Sequence, residues 1–358
     1  MSQLNFIGNP RAIGYLKMIA QNQTPAQAYL FVGPAQIGKT TAAMWLAQAL
    51  LCAQNNVSAP AQPSLLGATV GETAGSVEMG ATGEPCGECL ACRSVVLGSH
   101  PDFFRVETLE GKTQIAIEQV QNLKNSLALN PSWGKRRVVV LLGAEQLNQE
   151  SGNCLLKTLE EPNGETIFIM VADDFKHILP TIISRCQVVR FFTVGKGSLV
   201  EWLTQSHGLA NQDLAHELAG LSGGRPGKLL ALLNSIEEQE GYRQAVRGWL
   251  TIFTGGLAEN FKFLENIFGR QNFVASQKTT QEALEILSAL LRDLFLAKMK
   301  VVGLINYRFL QSELETIARR ISWRQIGALM RQLRQSKRHL LTSNANPRLI
   351  LENLILTV

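Results

Sequence analysis

The sequence predicts an α/β domain, in which a parallel sheet carries helices on both faces, followed by all-helical domains. Three observations support this prediction. A glycine-rich turn at residues 33–40 joins a predicted strand to a predicted helix. Apolar runs and helical periodicities alternate between residues 103 and 192, and little strand signal follows Thr193. Such alternation favours a doubly wound sheet whose ligand lies at the carboxyl ends of the strands.

The composition is that of a folded protein with more than one domain. At 358 residues the chain is too long for one ordinary core, and its 46% hydrophobic and 18% charged residues are unlike those of a disordered chain. No apolar stretch approaches the ~18 residues of a membrane span, and the N-terminus lacks a signal-peptide pattern. We therefore expect a cytoplasmic protein with reduced thiols, whose net charge of +5 is compatible with contact to polyanions.

The glycine-rich turn has the pattern of a phosphate-binding loop. Residues 33–40 match G-x-x-x-x-G-K-[ST] at every required position, with a buried strand at Tyr29–Val32 before them and a helix at Thr41–Leu51 after them. Main-chain N–H groups of such a loop surround phosphate oxygens, while Lys39 would reach the β- and γ-phosphates and Thr40 would bind Mg²⁺. The predicted nucleotide-binding residues are Gly33, Gly38, Lys39, Thr40 and Thr41. The alternative is a strand–helix turn that binds nothing.

Four cysteines have the spacing of a metal site. Cys86, Cys89 and Cys92 form C-x-x-C-x-x-C, and Cys52 is available as a fourth ligand. This set matches tetrahedral zinc, and a site closed by four thiolates indicates a structural metal rather than a catalytic one. A redox pair and an iron–sulfur cluster are the alternatives. His100 ranks below Cys52 as the fourth ligand.

The segment between Cys52 and Cys86 differs from the rest of the chain. Residues 53–85 contain no Lys, Arg or aromatic residue, so they cannot bury enough apolar surface to offset their ordering entropy. We expect a mobile excursion. Its length adds little to the entropy cost of bringing Cys52 and Cys86 together, because the entropy of loop closure grows only logarithmically with loop length. The remaining cysteines, Cys154 and Cys186, are expected to be small buried residues.

Strands and helices are predicted to alternate after Pro101. The run Val138–Leu142 is continuously apolar, as in the buried centre of a parallel sheet. Apolar residues three and four positions apart indicate a helix at Ile115–Leu127. The other predicted elements are an N-terminal helix with Pro10 in its first turn, a helix at Ser151–Leu159, and strands at Phe103–Val106, Ile167–Val171 and Gln187–Phe192.

The chain beyond Thr193 is predicted to be helical. A glycine-rich break at residues 221–228 separates two helices, and Asn346 with Pro347 is suited to begin the last one. Two long helices have apolar faces, formed by Leu284, Leu287, Leu291 and Leu294 in the first and by Ile326, Leu329, Met330 and Leu333 in the second. The second also carries Arg324, Arg331, Arg334, Lys337 and Arg338. A solvated helix face is favoured over a DNA contact for these basic residues.

Several motifs resemble those of bacterial clamp-loader subunits, which belong to the AAA+ superfamily. The most specific are L-L-K-x-L-E-E-P at residues 155–162 and Ser-Arg-Cys at residues 184–186. The Tyr-Leu-Phe sequence before the phosphate loop, the four-cysteine insert and Asn-Ala-Asn-Pro-Arg at residues 344–348 extend the likeness over most of the chain.

The resemblance implies an architecture and a set of partners. It implies an AAA+ module over residues 1–192 with a zinc insert at 52–92, a helical lid over 193–236 and a helical collar over 237–358. Five subunits, including gamma/tau and delta types, would form a ring through their collars and load a sliding clamp on primed DNA. Arg185 would be an arginine finger in the ATP site of a neighbouring subunit, because a guanidinium is always charged and suits γ-phosphate oxygens. A surface or interface salt bridge is the alternative for Arg185.

The acidic residues of motor subunits are missing at one strand end. Motor subunits of this superfamily end that strand with one or two carboxylates that hold Mg²⁺ and orient water, whereas this chain has Leu142 and Gly143 there. Glu145 lies just beyond, but the helical geometry expected after the strand would aim it elsewhere. Losing such a stabiliser of transition-state charge commonly costs about 10²–10³ in rate.

The two nucleotide-sensing positions also depart from the superfamily's pattern. The superfamily has a polar sensing residue at the end of the strand that corresponds to 167–171, and in this chain that position falls near Ala172 and Asp173. The superfamily's sensing arginine in the lid would fall near Gly227, and Arg225 is close to that position but not aligned with it. We therefore predict a subunit that turns nucleotide over slowly or not at all. One alternative is an active motor ATPase subunit of the same family. The other is a P-loop phosphotransferase, but that function would leave the cysteines, Arg185 and the helical part unexplained.

Overall fold

The structure is a computed structural model that describes residues 6–22, 24–55, 83–269, 273–342 and 345–357. The chain divides into two compact units, residues 1–194 and 195–358. Most of the predicted excursion at 53–85 lies outside the described residues, as does Asn344 of the C-terminal motif. The further division between lid and collar at residues 236 and 237 stays a prediction.

The first unit is built on a five-stranded parallel sheet. Its strands are β1 Ala28–Val32, β2 Phe103–Val106, β3 Arg136–Leu142, β4 Glu165–Ala172 and β5 Gln187–Arg190. They are arranged in the order β2-β3-β4-β1-β5, and every pair of neighbours is parallel. The predicted parallel sheet is therefore confirmed.

Helices cover both faces of this sheet. They are α1 Pro10–Gln21, α2 Lys39–Leu51, α3 Leu90–Leu97, α4 Ile117–Leu127, α5 Gln149–Glu160 and α6 Pro180–Ile183. Because successive side chains of a strand point to opposite faces, β3 contributes Val138 and Val140 to one hydrophobic core and Val139 and Leu141 to the other. Burial on both faces explains why β3 is apolar at consecutive positions.

The strand register brings three loops to one edge of the sheet. Val32 at the end of β1 pairs with Ala172, and Leu142 at the end of β3 pairs with Val171. The phosphate loop, the turn after β3 and the turn after β4 therefore begin at neighbouring points. This is the edge at which doubly wound sheets bind ligands.

The last strand is shorter than predicted. It ends at Arg190 instead of Phe192, although the N–H of Phe191 still donates to the carbonyl oxygen of Val32, 2.7 Å away. The main chain of Phe192 is paired with the side chain of Asn9, which accepts from its N–H and donates to its carbonyl oxygen. The side chain of Asn9 thus takes the place of the neighbouring main chain that would otherwise extend β5.

The second unit is helical in its described residues. Its helices are α7 Lys196–Ser206, α8 Gln212–Ser222, α9 Pro226–Asn234, α10 Ile236–Leu250, α11 Leu257–Phe268, α12 Phe273–Lys298, α13 Gln311–Arg320, α14 Trp323–Thr342 and α15 Pro347–Ile355. The predicted apolar faces of α12 and α14 are buried, apart from a half-buried Met330. Asn346 caps α15 by accepting from the N–H of Arg348, as the sequence predicts. No helix in the described ranges combines the length and apolarity needed to cross a bilayer.

Candidate functional site

The phosphate loop connects β1 to α2 in a conformation that requires its two glycines. A Cβ at Gly33 would lie 2.3 Å from the carbonyl oxygen of Phe191, so no larger residue fits there. Gly38 precedes α2 with φ of 98°, a left-handed conformation that glycine adopts without steric cost. Thr40 and Thr41 are exposed in the first turn of α2. The predicted strand, turn and helix are therefore all present.

The ammonium group of Lys39 is bound by the protein itself. The side chain is 4% exposed, and its Nζ donates to the carbonyl oxygens of Gly33 and Pro34, 2.6 and 2.7 Å away. Its third partner is the carboxylate of Asp173, 2.8 Å away, just after β4. An ammonium has three N–H donors, so these contacts use all of them. A phosphate oxygen would have to replace one of these partners.

Glu145 lies against the turn that follows β4. It follows β3 in the short 3₁₀ turn Ala144–Gln146, and its Oε1 accepts from the N–H of Asp173, 3.3 Å away. The expectation that Glu145 is aimed away from a bound metal stays a prediction. Gly143 has φ of 76° and bonds to the carbonyl oxygen of Val171, and this left-handed residue begins the turn toward β4.

The environment of Glu145 disfavours its charge. Burial raises the pKa of this carboxyl, and the negative charge of Asp173 adds to the effect while Lys39 opposes it. Its Oε2 is buried and has no hydrogen-bond partner among the described residues. Leu142 is half-buried against the hydrophobic core, and the carboxylates of Glu145 and Asp173 come from the turns after β3 and β4.

The four cysteines predicted as metal ligands are brought together. Their Sγ atoms all lie within 4.8 Å of one another, with 3.6 Å between Cys52 and Cys86 and 3.9 Å between Cys86 and Cys92. Four thiolates at ~2.3 Å from a tetrahedral zinc ion are separated by about 3.8 Å. These distances fit a metal centre and are far too long for a disulfide of ~2.05 Å.

Main-chain and side-chain contacts orient the sulfur atoms. The N–H groups of Cys89 and Cys92 point to the sulfurs of Cys86 and Cys89 respectively, each at 3.4 Å. The Cys92 thiol donates to Cys52 and lowers the pKa of Cys52 to about 4, while the same contact raises the pKa of Cys92. His100 is not in the cluster, because its Nδ1 accepts from the N–H of Asp102 and its ring packs edge-on against Trp133.

The other predicted cysteines and the lid arginine lie elsewhere. Cys154 and Cys186 are half-buried rather than fully buried, and burial raises the pKa of Cys186 to about 12. Arg225 pairs with Glu285 at 2.7 Å within the second unit.

Arg185 lies on the surface just after α6. About a third of its side chain is exposed, and its Nε donates to Glu160 at the end of α5, 2.7 Å away. The guanidinium also donates to the carbonyl oxygen of Thr181 at 2.8 Å and to the hydroxyl of Ser184 at 3.3 Å. Glu160 belongs to the L-L-K-x-L-E-E-P motif, so this contact joins the two motifs that carry the sequence resemblance.

These features define a class of protein: a P-loop α/β module with a four-cysteine cluster and a second, helical unit. A family model described as DNA polymerase III, delta subunit matches residues 8–70 and 72–194. A second model, for the C-terminal region of the delta subunit, matches residues 258–358. The chain belongs to the DNA polymerase III delta subunit family, which confirms the family predicted from the sequence motifs.

Curated relatives carry related names. The chain is 35% identical to DNA polymerase III subunit delta′ of Pseudomonas aeruginosa over 201 residues, 56% of this chain and 54% of that protein. It is 36% identical to the Haemophilus influenzae subunit delta′ over 170 residues, 48% of this chain and 50% of that protein. It is 29% identical to DNA polymerase III subunit tau of Bacillus subtilis over 175 residues, 49% of this chain and 26% of that protein. The chain thus matches about half the length of its delta′ relatives.

We predict that Glu145→Gln makes the protein more stable at pH 8. Because burial raises the pKa of Glu145 in the folded state, ionisation costs more free energy there than in the unfolded chain. The wild type therefore loses stability as the pH rises through the folded-state pKa of Glu145. The amide of the variant still accepts the hydrogen bond from the N–H of Asp173 and carries no charge. The melting temperature of the variant should exceed that of the wild type at pH 8.

The stability difference should shrink as the pH falls toward the unfolded pKa of about 4.3. Glu110→Gln, at an exposed position, serves as the control and should show no such pH dependence. A variant no more stable than the wild type at pH 8 contradicts the argument.

Proposed function

We propose that the chain is a delta-prime-type subunit of the bacterial DNA polymerase III clamp loader. Family membership and relatives named subunit delta′ support this proposal. The subunit would take part in the ATP-dependent loading of a sliding clamp on primed DNA, in the cytoplasm. Its partners would be gamma/tau and delta-type subunits in a ring of five, joined through the collar at residues 237–358.

The main observation behind the proposed role is the position of Arg185. Its guanidinium is surface-exposed and donates to Glu160 of α5, to Thr181 of α6 and to Ser184 just after α6. Lys39, in contrast, bonds to the phosphate loop and to Asp173. An arginine held at a surface in this way suits the γ-phosphate of a nucleotide bound by an adjacent subunit. We therefore infer that Arg185 acts in trans as an arginine finger.

The ATP site of the chain itself would be weak or inactive. Gly33, Gly38, Lys39, Thr40 and Thr41 are the residues that would hold the phosphates and Mg²⁺. Leu142 and Gly143 offer no carboxylate to the metal, and Asp173 already neutralises Lys39. Losing one such stabiliser commonly costs about 10²–10³ in rate.

A second candidate is a gamma/tau-like motor ATPase, which the match to subunit tau favours. That class needs the acidic residues that are missing at Leu142 and Gly143. Turnover near 1 s⁻¹ by the isolated full chain, within the usual enzyme range, would reject the delta-prime-type role in favour of this candidate. Membership in the delta subunit family argues against a P-loop phosphotransferase.

We predict that Arg185→Ala slows ATP hydrolysis by the assembled complex. An arginine finger raises the rate of hydrolysis about 10³–10⁵-fold at the site that it enters. In a single-turnover experiment, the ATP bound at that one site should therefore no longer be hydrolysed rapidly, while ATP at the other sites is hydrolysed as before. Arg185→Lys should also be impaired, because an ammonium lacks the planar fork of a guanidinium.

Arg105→Ala is the matched control, since Arg105 is an exposed arginine paired with Glu107. It should leave hydrolysis unchanged. Co-purification of all subunits establishes that each variant still assembles. Unchanged single-turnover kinetics in an assembled Arg185→Ala complex would show that Arg185 is not the finger.

We also propose that Cys52, Cys86, Cys89 and Cys92 bind one structural zinc ion. Sulfur separations of 3.6 and 3.9 Å support a tetrahedral site, and four protein ligands leave no open position for a substrate. The metal would fix the connection between α2 and α3, since Cys52 follows α2 and Cys92 lies in α3. Its stabilising effect would come from folding free energy coupled to metal binding.

The zinc proposal predicts one zinc ion per chain by elemental analysis of the purified protein. Cys89→Ser should lose the metal and lower the melting temperature, because a hydroxyl is a poor zinc ligand, whereas Cys154→Ser should retain full occupancy. Cobalt substitution should give the absorption of a tetrahedral thiolate site. Iron with inorganic sulfide, or full metal content in Cys89→Ser, would contradict the assignment.

A further inference from the structure

Helix α14 carries a row of arginines on the side opposite its buried face. Its twenty residues, Trp323–Thr342, include no Asp or Glu. Arg324, Arg331 and Arg338 recur every seven residues and so lie on one face, with Arg334 beside them, and all four are exposed. At 1.5 Å per residue the row from Arg324 to Arg338 is about 21 Å long.

Three arginines of this row lack a carboxylate partner in the described part of the chain. Across the described residues, the guanidinium groups of Arg324, Arg331 and Arg334 form no ion pair with a carboxylate, and neither do Arg319 and Arg320 at the end of α13. Other arginines of the same unit are paired. Arg225 and Arg243 bind Glu285 and Glu217 at 2.7 Å. Lys337, which the sequence groups with the row, is half-buried instead.

An exposed aromatic pair lies at the beginning of the row. Trp323, the first residue of α14, is 49% exposed, and Phe295 of α12 is 38% exposed. Their ring centroids are 5.4 Å apart in an edge-on arrangement. Lys298 lies 5.5 Å from the Trp323 ring and is fixed by a 2.8 Å bond to the carbonyl oxygen of Ala318. The indole is therefore held in place and still open to solvent.

We propose that this surface, formed by Phe295, Trp323, Arg324, Arg331, Arg334 and Arg338, binds single-stranded nucleic acid. Arginines pair with phosphates through parallel hydrogen bonds, and a row of about 21 Å matches several successive phosphates of a strand. An exposed tryptophan beside cations is a platform on which an unpaired base stacks. An acidic protein partner would use the arginines but has no planar base for Trp323. The site does not depend on the phosphate loop or on Arg185.

The arginine row is tested by fluorescence anisotropy of a labelled oligothymidylate of about 20 nucleotides, titrated with the full chain over a range of salt concentrations. The triple variant Arg324→Gln, Arg331→Gln, Arg334→Gln should weaken binding at least about tenfold at low salt. It should also reduce the slope of log K against log[salt] by about 2, since each phosphate contact to a single strand contributes ~0.7. The variant Arg93→Gln, Lys112→Gln, Lys124→Gln loses the same charge at exposed positions of the first unit and should change both quantities far less.

The stacking contact is tested by Trp323→Leu, which keeps an apolar side chain against Phe295. Binding should weaken about fivefold or more while the salt slope stays the same, because a base stack carries no phosphate charge. Unchanged melting temperatures show that the variants are folded. Equal binding by the triple variant and its charge-matched control overturns the proposal, as does no loss in Trp323→Leu. The wild type could also fail to bind the oligonucleotide and instead bind an acidic partner subunit in a way that the triple variant abolishes. That outcome overturns the proposal in favour of a protein interface.

Discussion

The three hydrogen bonds of Lys39 are the interaction on which this account of the nucleotide site depends. A buried ammonium must be paired, and here the loop's own carbonyl oxygens and Asp173 supply the partners. The loop is therefore satisfied without a phosphate. Nucleotide binding would require an exchange of partners, in which phosphate oxygens compete with the Asp173 carboxylate just after β4.

Under the proposed function, the chain would carry the two halves of an ATP site separately. The loop that would grip phosphate lies at residues 33–40, but no carboxylate follows directly at the end of β3. The half that would act on a neighbour, Arg185, is held at the surface by Glu160. Glu160 orients the guanidinium without burying it. In the proposed role, Arg185 would exchange this carboxylate for a more highly charged phosphate.

Features set by local pattern were predictable from the sequence, and contacts between distant segments were not. The apolar run of β3, the glycines of the loop and the cysteine spacing each reflect a constraint on a few neighbouring residues. The direction of Glu145 depends on the left-handed Gly143, and the end of β5 depends on Asn9, far away in the chain. The partnership of Asp173 with Lys39 likewise spans two strand ends, which only the sheet order brings together. Glu160 was visible within its motif, but nothing local linked it to Arg185.

The affinity of the isolated full chain for Mg·ATP, measured by calorimetric titration of the wild type and Asp173→Ala, tests the central claim most directly. If Asp173 competes with phosphate for Lys39, its removal should tighten binding roughly fivefold, the equivalent of about 1 kcal/mol for a partly exposed ion pair. Asp174→Ala, a neighbouring acidic residue that pairs with Lys176, should leave the affinity unchanged. Equal or weaker binding by Asp173→Ala would contradict the claim that the protein itself satisfies Lys39.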